Sequence, residues 1–336
     1  MSTDPAQQVL GVATGYMASA ALNVALELAI PDHLKEGPRT SADLAAATGA
    51  HEGALHRILR LLTSLGLFEQ VATRTYALTP ASTLLCKGVP GSMSAMARFL
   101  PDPTHLRIYA DLMESVMTGK PAAEKALGMP VFEYFAKNPE YSEVFNDAMT
   151  ALSAPVAGAA IQVFDFSRFG LIVDVAGGHG EVLMSILKAC PDTRGVLAEL
   201  GHVVEGARAR IQSAGLADRC EAVECDFFEA VPAGADAYVM KHIIHDWDDD
   251  RALLILENIN KAMGAKRGTV VLLESVIPDG PAPDFGKFID IEMLALPGGM
   301  ERTADEFRAL FDQAGFELKN IVATASPLSV VEAVRR

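Results

Sequence analysis

Short apolar runs alternate with helical stretches from about Ser167 to the end of the chain. Each run is five or six residues long, and ten to fourteen residues of helical pattern separate most of them. Parallel strands need such helical crossovers, so the alternation predicts a parallel sheet covered by helices on both faces. The predicted strands are 171–176, 195–200, 220–224, 236–240 and 269–274, and the predicted helices are 180–189, 203–214, 249–262 and 303–314.

The last two strand-like runs, 317–323 and 328–334, have no helical pattern between them. They predict an antiparallel hairpin at the end of an otherwise parallel, Rossmann-like α/β sheet. A chain of 336 residues exceeds one ordinary core. We therefore predict a helical domain at 1–100, a helical connector at 101–166 that walls a substrate cavity, and the α/β domain at 167–336.

The segment 9–30 is almost uncharged and about as long as a membrane span. It carries Asn23 and Glu27, and no basic region precedes it, so neither membrane insertion nor a signal peptide is favoured. Its small residues let helices approach closely. We expect a helix that Pro31 ends and that is buried in the interface of a homodimer.

The next segment has the pattern of a winged helix. Thr40 and Asp43 form a capping-box pattern, and leucines and Ile58 recur at helical spacing up to Gly66. Two short strands are predicted at 67–69 and 76–78. A winged helix indicates either a DNA-binding module or a structural one.

Charge argues against DNA binding. The chain has 28 Lys and Arg against 43 Asp and Glu, a net charge of −15. Nucleic acid and anionic membranes require clustered cations, and the second wing helix has few. The four cysteines lack metal-ligand spacing, so we predict no metal and a reducing, cytoplasmic location. They are Cys86, Cys190, Cys220 and Cys225.

A glycine-rich loop, 174–180, follows the first predicted strand of the sheet. It lies at the sheet edge where α/β proteins bind ligands, and its spacing differs from the G-x-G-x-x-G of nicotinamide sites. Glu199 ends the second strand, where it could accept hydrogen bonds from ribose hydroxyls or be a solvated acid. Asp226 and Phe227 follow the third strand and suit an adenine ring, and Lys241 comes after the fourth.

Four strings carry a family resemblance: DVAGGHG at 174–180, CDFF at 225–228, KHIIHDWDD at 241–249 and GGMERT at 298–303. Together with the winged helix and the terminal hairpin, they resemble the bacterial and plant small-molecule O-methyltransferases of the caffeate type, including polyketide and phenazine tailoring enzymes. The resemblance implies a methyltransferase sheet preceded by a dimerisation domain. It also implies S-adenosylmethionine as cofactor, S-adenosylhomocysteine as product, and a small aromatic hydroxylated substrate.

By position, the resemblance assigns site residues in this chain. The cofactor residues are Asp174, Gly177, Gly178, Gly180, Glu199, Asp226, Phe227 and Lys241. His245 is the general base, flanked by Glu274 and Glu301. The predicted substrate contacts are Phe145, Met149, His242, Asp246, Met293 and Met300, of which Phe145 and Met149 belong to an apolar stripe that could equally be plain core. Two positions depart from the family pattern. Ala176 replaces a glycine, which fits if φ is negative there, and Glu199 replaces a shorter aspartate.

The chemistry explains the choice of a histidine. A phenol has a pKa of about 10, and imidazole, with a pKa near 6.5, removes its proton more readily than water does. Carboxylates beside an imidazole fix its orientation and stabilise the imidazolium. Two alternatives stay open at this point: a cofactor-binding relative that hydroxylates, decarboxylates or steers pericyclic reactions, and a winged-helix regulator. The apolar cavity residues leave the acceptor open.

Overall fold

A computed structural model describes residues 4–336. The chain forms two compact units: the first runs to Ala110 and includes Phe135–Ala151, and the second comprises Asp111–Tyr134 and Leu152–Arg336. The predicted boundaries near residues 100 and 166 stay predictions. The first unit contains α1 (Pro5–Glu27), α2 (Ile30–His33), β1 (Arg39–Thr40), α3 (Ser41–Thr48), α4 (Glu52–Ser64), β2 (Phe68–Ala72), β3 (Thr75–Leu78), α5 (Pro80–Thr83), α6 (Ser94–Phe99) and α7 (Pro103–Ala110).

The prediction that Pro31 ends the opening helix is wrong. Helix α1 already ends at Glu27, and Ala29 turns the chain with a left-handed φ of 49°. Pro31 lies in the first turn of α2, where its missing N–H has no helical partner to lose. The proline therefore starts a short second helix.

The winged-helix prediction is confirmed. Thr40 and Asp43 form a reciprocal capping box at the start of α3, and Gly49 ends that helix with a left-handed φ of 74°. Helix α4 buries its leucine stripe, and β2 and β3 form an antiparallel hairpin. A third strand, β1, pairs with β3 and was not predicted, because two residues give no recognisable alternation.

Helix α1 presents apolar side chains to solvent in the single chain. Val12 is 83% exposed and Tyr16 is 61% exposed. Exposed apolar surface of this kind marks an interaction surface. By length and composition, α1 and the helix Pro139–Val163 are each long and apolar enough to cross a membrane. Helices of a protein core or an interface meet the same criteria. The absence of membrane insertion stays a prediction.

The second unit is built on a seven-stranded sheet. Its strands are β4 (Leu171–Val175), β5 (Arg194–Glu199), β6 (Cys220–Glu224), β7 (Ala237–Lys241), β8 (Thr269–Glu274), β11 (Phe316–Ala323) and β12 (Ser329–Arg335), with a separate short pair β9 (Val276–Ile277) and β10 (Arg302–Thr303). The order is β11-β12-β8-β7-β4-β5-β6. Strands β4 to β8 are parallel, whereas β12 pairs antiparallel with β8 and β11. The predicted sheet and terminal hairpin are confirmed.

Helices cover both faces of this sheet. The helices in this part of the chain are α8 (Leu112–Thr118), α9 (Ala122–Leu127), α10 (Val131–Lys137), α11 (Pro139–Val163), α12 (Glu181–Ala189), α13 (Gly201–Ser213), α14 (Asp249–Ala262), α15 (Gly286–Ala295) and α16 (Ala304–Gln313). Parts of α10 and α11 belong to the first unit. Adjacent residues of β4 show the two faces, because Ile172 lies in one buried cluster and Val173 in the other. Parallel pairing brings the carboxyl ends of β4, β5, β7 and β8 to one edge of the sheet, where the predicted site residues lie.

Candidate active site

The loop after β4 has an unusual backbone. Ala176, Gly178 and Gly180 have φ values of 56°, 58° and 81°, alternating with residues of ordinary φ. The expectation of a negative φ at Ala176 is therefore wrong, and its methyl group occupies a conformation that L-residues rarely adopt. The Ala176 N–H donates to Ala198 O at 2.8 Å, which ties the loop to β5.

Two glycines of this loop serve different purposes. A Cβ on Gly177 would lie 2.4 Å from Asp174 Oδ2, so the loop can pack on this carboxyl group only without a side chain. A Cβ on Gly178 would meet no protein atom within 4 Å. Gly178 therefore borders open space.

Glu199 anchors the loop. Its Oε2 accepts a hydrogen bond from Gly178 N at 2.8 Å, and its Oε1 accepts one from Leu200 N at 2.7 Å. The extra methylene relative to aspartate lets this carboxylate reach the loop from the end of β5. The ribose contact predicted for Glu199 would use its remaining lone pairs.

Asp174 and Lys241 are two enclosed charged groups of this edge. Neither carboxyl oxygen of Asp174 has a hydrogen-bond partner among the described residues, and burial, with the charge of Glu199, raises its pKa to about 7. Burial lowers the pKa of Lys241, against the opposing charges of Glu274, Asp174 and Asp246. Both groups are poised to pair with a polar ligand.

Asp226 and Phe227 follow β6 as predicted. Asp226 Oδ1 accepts a hydrogen bond from Phe228 N at 2.9 Å. Phe227 packs edge-on against Phe228 and Trp247. This places a carboxylate beside an aromatic cluster at the carboxyl end of β6.

His245 lies in a single turn of 3-10 helix, Ile244–Asp246, just after β7. Its Nδ1 is 2.7 Å from Glu301 Oε1 and 3.8 Å from Glu274 Oε2. Glu274 ends β8, is fully buried, and its Oε1 accepts hydrogen bonds from Ile243 N and Ile244 N. The histidine and both predicted carboxylates are therefore together.

Burial dominates the electrostatics of these acids. It raises the pKa of Glu274 to about 6 and that of Asp246 to about 7. Burial and then the charge of Asp290 raise the pKa of Glu301 to about 8. A proton on His245 therefore has a carboxylate of high proton affinity beside it.

Arg302 holds the turn that carries His245, a role that the sequence analysis missed. Its side chain is 1% exposed, and it donates to Ile244 O at 3.1 Å and Trp247 O at 3.0 Å. The same guanidinium pairs with Asp249 Oδ1 at 2.8 Å. The position of Arg302 next to Glu301 in the sequence could have indicated this role. The sequence does not show, however, that the guanidinium group is buried and donates several hydrogen bonds.

The loop before β10 lies directly on this turn. Met300 N donates to His245 O at 2.9 Å, and a Cβ on Gly299 would lie 2.0 Å from the same oxygen. Asp290 of α15, also missed, accepts a hydrogen bond from Glu301 N at 2.9 Å. The position of Glu301 is thus fixed by three contacts of its own loop.

The predicted substrate contacts fall in both units. In the second unit, Asp246 Oδ1 lies 3.5 Å from His245 Nε2, His242 stacks on His245, and Met300 contacts the His245 backbone. Met293 is buried on α15. In the first unit, Phe145 packs against Phe99 and Phe135, and Met149 lies on the same helix, α11. Substrate contact by each of them stays a prediction.

One group of side chains could suggest a metal. Ligand atoms of His242, His245 and Glu274 lie within 4.8 Å of one another. The two imidazole rings, however, are stacked 4.5 Å apart and 5° from parallel. Imidazole lone pairs lie in the ring plane, so two parallel rings at this distance do not direct them at one ion. This donor set therefore does not fit a metal centre.

A Rossmann-like sheet with a polar loop after its first strand and a buried histidine–carboxylate pair after the fourth defines the class: a methyltransferase. Family models for an O-methyltransferase domain and an O-methyltransferase dimerisation domain match residues 109–317 and 10–88. This chain belongs to the O-methyltransferase family. The predicted family and enzyme class are confirmed, and the winged helix falls in the dimerisation domain.

Curated relatives match over nearly the whole chain. Phenazine O-methyltransferase PhzM of Lysobacter antibioticus is 41% identical and aligns with 97% of this chain and 95% of its own length. Mitomycin biosynthesis 6-O-methyltransferase of Streptomyces lavendulae is 38% identical over 98% and 94%. Aclacinomycin 10-hydroxylase RdmB of Streptomyces purpurascens, 33% identical over 89% and 81%, shows that relatives include a hydroxylase.

The crystal structure of one relative contains both the cofactor and an aromatic acid. NcsB1 from neocarzinostatin biosynthesis, 32% identical with a TM-score of 0.78 over 94% of this chain and 95% of its own, was crystallised with S-adenosylmethionine and 2-hydroxy-5-methyl naphthoic acid. The predicted cofactor agrees with this complex.

Proposed function

We propose that this chain transfers a methyl group from S-adenosylmethionine to a hydroxyl group, phenolic by preference, of a small aromatic or polyketide-like metabolite, with His245 as general base. The observation that carries the proposal is the 2.7 Å contact between His245 Nδ1 and Glu301 Oε1. It leaves Nε2, which lies 3.5 Å from Asp246 Oδ1, as the nitrogen that can accept a proton. Oriented imidazole of this kind is typical of a general base.

The residues of the sheet edge fit S-adenosylmethionine. When bound, this cofactor supplies a methyl group on a positively charged sulfur. Asp174 has two buried oxygens without partners, Gly178 borders open space, and Lys241 is an enclosed cation that suits a carboxylate. Glu199 would accept from ribose hydroxyls and Asp226 from an adenine amino group.

The residues around His245 orient it to remove the proton of the acceptor hydroxyl group. Glu301 holds Nδ1–H, so that Nε2 accepts the proton of the acceptor hydroxyl as its oxygen becomes bonded to carbon. The imidazolium that forms lies beside Glu301 and within 3.8 Å of Glu274. Arg302 fixes the turn, so that Nε2 keeps its direction. These contacts align base and acceptor rather than make a covalent intermediate.

His245→Ala tests the assignment. We expect turnover on an unactivated phenol to fall about a hundred- to ten-thousand-fold, the usual contribution of a general base. Affinity for S-adenosylmethionine, measured by calorimetry, should stay close to that of the wild type. The matched control is His202→Ala, because His202 is an exposed histidine at the start of α13.

A phenol that is already ionised at neutral pH separates base catalysis from other losses. It needs no base, so the His245→Ala variant should methylate it at nearly the wild-type rate. Equal turnover of variant and wild type on an unactivated phenol would refute the assignment. If the wild type transfers no labelled methyl group to phenols, amines or acids, a non-methylating activity, as the name of RdmB describes for that relative, becomes the better conclusion.

We also propose that the active form is a homodimer through α1. The support is the exposed apolar face of this helix and the match of residues 10–88 to the dimerisation domain.

A further inference from the structure

The imidazole ring of His242 lies face to face with that of the proposed base, His245. Its ring is stacked on that of His245, with centroids 4.5 Å apart and planes 5° from parallel. Glu301 holds the same His245 ring at Nδ1. A ring held at one nitrogen and along one face has lost the freedom to turn about its Cβ–Cγ bond.

The backbone of His242 is bent to make this contact. Its φ of 54° is left-handed, a conformation that few non-glycine residues adopt and that gathers at functional sites. Its N–H donates to Leu273 O at 3.2 Å, and the next two N–H groups donate to Glu274 Oε1. Strand β8 therefore holds the bend that brings the two rings together.

The ring of His242 stays neutral. Burial, and then the positive charges of His245 and Lys241, hold the pKa of His242 well below its ordinary value. A carboxylate oxygen of Glu274 lies within 4.8 Å of ring nitrogens of His242 and His245, and its Oε1 accepts hydrogen bonds from two backbone N–H groups. A neutral aromatic ring attracts a cation placed over its face, whereas a second charged ring would repel it.

We propose that His242 is a positioning residue, whose stacked neutral ring fixes the plane of His245 and stabilises His245 as it becomes an imidazolium. This inference rests on the proposed function of His245. It assigns to His242 a task separate from the substrate contact that the sequence predicted. The task requires a flat ring at this position and does not require the two nitrogens of His242.

Two variants test the need for a ring. His242→Phe keeps a flat ring, and His242→Leu replaces it by a branched chain of similar bulk, with the same left-handed backbone in both. On an unactivated phenol we expect kcat to fall about tenfold in the leucine variant, the scale of a cation over an aromatic face, and to stay within about threefold in the phenylalanine variant. The KM for S-adenosylmethionine should hardly change.

A phenol that is ionised at neutral pH gives the second readout. It bypasses the base, so the leucine variant should methylate it as fast as the wild type does. Equal losses on both phenols, or equal kcat values for the leucine and phenylalanine variants, would overturn the proposal. If the leucine variant does not fold, His242→Asn, which favours left-handed backbone, takes its place.

Histidine labelled with carbon-13 at Cε1 tests the stacking without catalysis. Of the eight histidine signals, that of His245 is the one absent from the His245→Ala spectrum. The ring current of the phenyl group should keep this signal shifted upfield in the phenylalanine variant, whereas its loss should move the signal downfield in the leucine variant. An unmoved signal would refute the stacking. A wild type that methylates no phenol, with the signal moving as expected, would instead refute the proposed function.

Discussion

Glu301→Gln isolates the charge that faces the proposed base. Glutamine keeps the length of the side chain and an Oε1 that accepts a hydrogen bond from His245 Nδ1–H. What it removes is the negative charge whose oxygen lies 2.7 Å from that nitrogen. The variant should therefore hold the ring in place but stabilise the imidazolium less.

The size of the effect follows from the geometry. Charge centres of a carboxylate and an imidazolium in this contact lie roughly 4 Å apart, and unit charges at this distance interact by about 4 kcal/mol at an effective dielectric constant of 20. Each 1.36 kcal/mol corresponds to about a tenfold change in rate, which gives an upper value of about a thousandfold. Glu274, at 3.8 Å, retains part of the stabilisation, so at pH 9, where Glu301 is ionised, we expect kcat to fall roughly a hundred- to a thousandfold.

The pH dependence gives a signed check. Because the pKa of Glu301 is raised to about 8, its carboxylate fraction grows as the pH rises from 6 to 9. The ratio of wild-type to variant kcat should therefore rise over this range and level off above about pH 9. Steady-state methylation of an unactivated phenol at saturating S-adenosylmethionine measures it.

Glu274→Gln is the matched comparison, because its carboxylate lies 1.1 Å farther from Nδ1 than that of Glu301, 3.8 Å against 2.7 Å. Its amide oxygen still accepts from the two backbone N–H groups, and its effect on kcat should be the smaller one. Unchanged kcat in Glu301→Gln, or an equal loss on a phenol ionised beforehand, would show that this charge does not act through the base.

Three further outcomes follow from the geometry. Asp174→Asn should raise the melting temperature of the free enzyme at pH 8 and hardly change it at pH 4. Because the pKa of Asp174 is raised to about 7, its ionised form destabilises the fold, and this loss of stability grows from about pH 4 to pH 7, to an upper bound of about 4 kcal/mol. A difference in melting temperature between variant and wild type that is the same at every pH would contradict this. Gly178→Ala should weaken S-adenosylmethionine binding in calorimetry. The control is Gly215→Ala, which has a similar positive φ and equally open surroundings, and which should lose comparable stability but keep its affinity for the cofactor. Equal affinities of the two variants would show that the loop is not part of the cofactor site. Val12→Glu places a charge on the apolar face of α1 and should give monomers in light scattering at micromolar concentration; a persistent dimer would place the interface elsewhere.

The sheet could be predicted closely because its strands are buried apolar runs. The predicted bounds of β6, β8 and α14 agree with the structure residue for residue. At the ends of these three elements, a charged or polar residue or a change in the spacing of apolar residues marks the boundary. Strand β1 and helix α2 are two and four residues long, too short for any period to be recognised.

The site could be predicted as a set of residues but not as a geometry. Strand order alone places His245 near Glu274, since His245 follows β7 and Glu274 ends β8, the adjacent parallel strand. The positive φ of Ala176, the stacking of His242 and the buried fork of Arg302 depend on contacts between segments far apart in the chain. Such contacts leave no periodic pattern in the sequence.

Strand β12 runs against its neighbour, and this decides where the chain leaves the sheet. It begins beside the end of β8, where Ser329 pairs with Glu274, and finishes beside its start, where Val334 pairs with Thr269. A fluorescent protein or an affinity tag fused to Arg336 would thus emerge on the edge opposite the carboxyl ends of the parallel strands. Immobilising the enzyme through this end should leave the carboxyl ends of the parallel strands, with the loop 174–180, facing the solution.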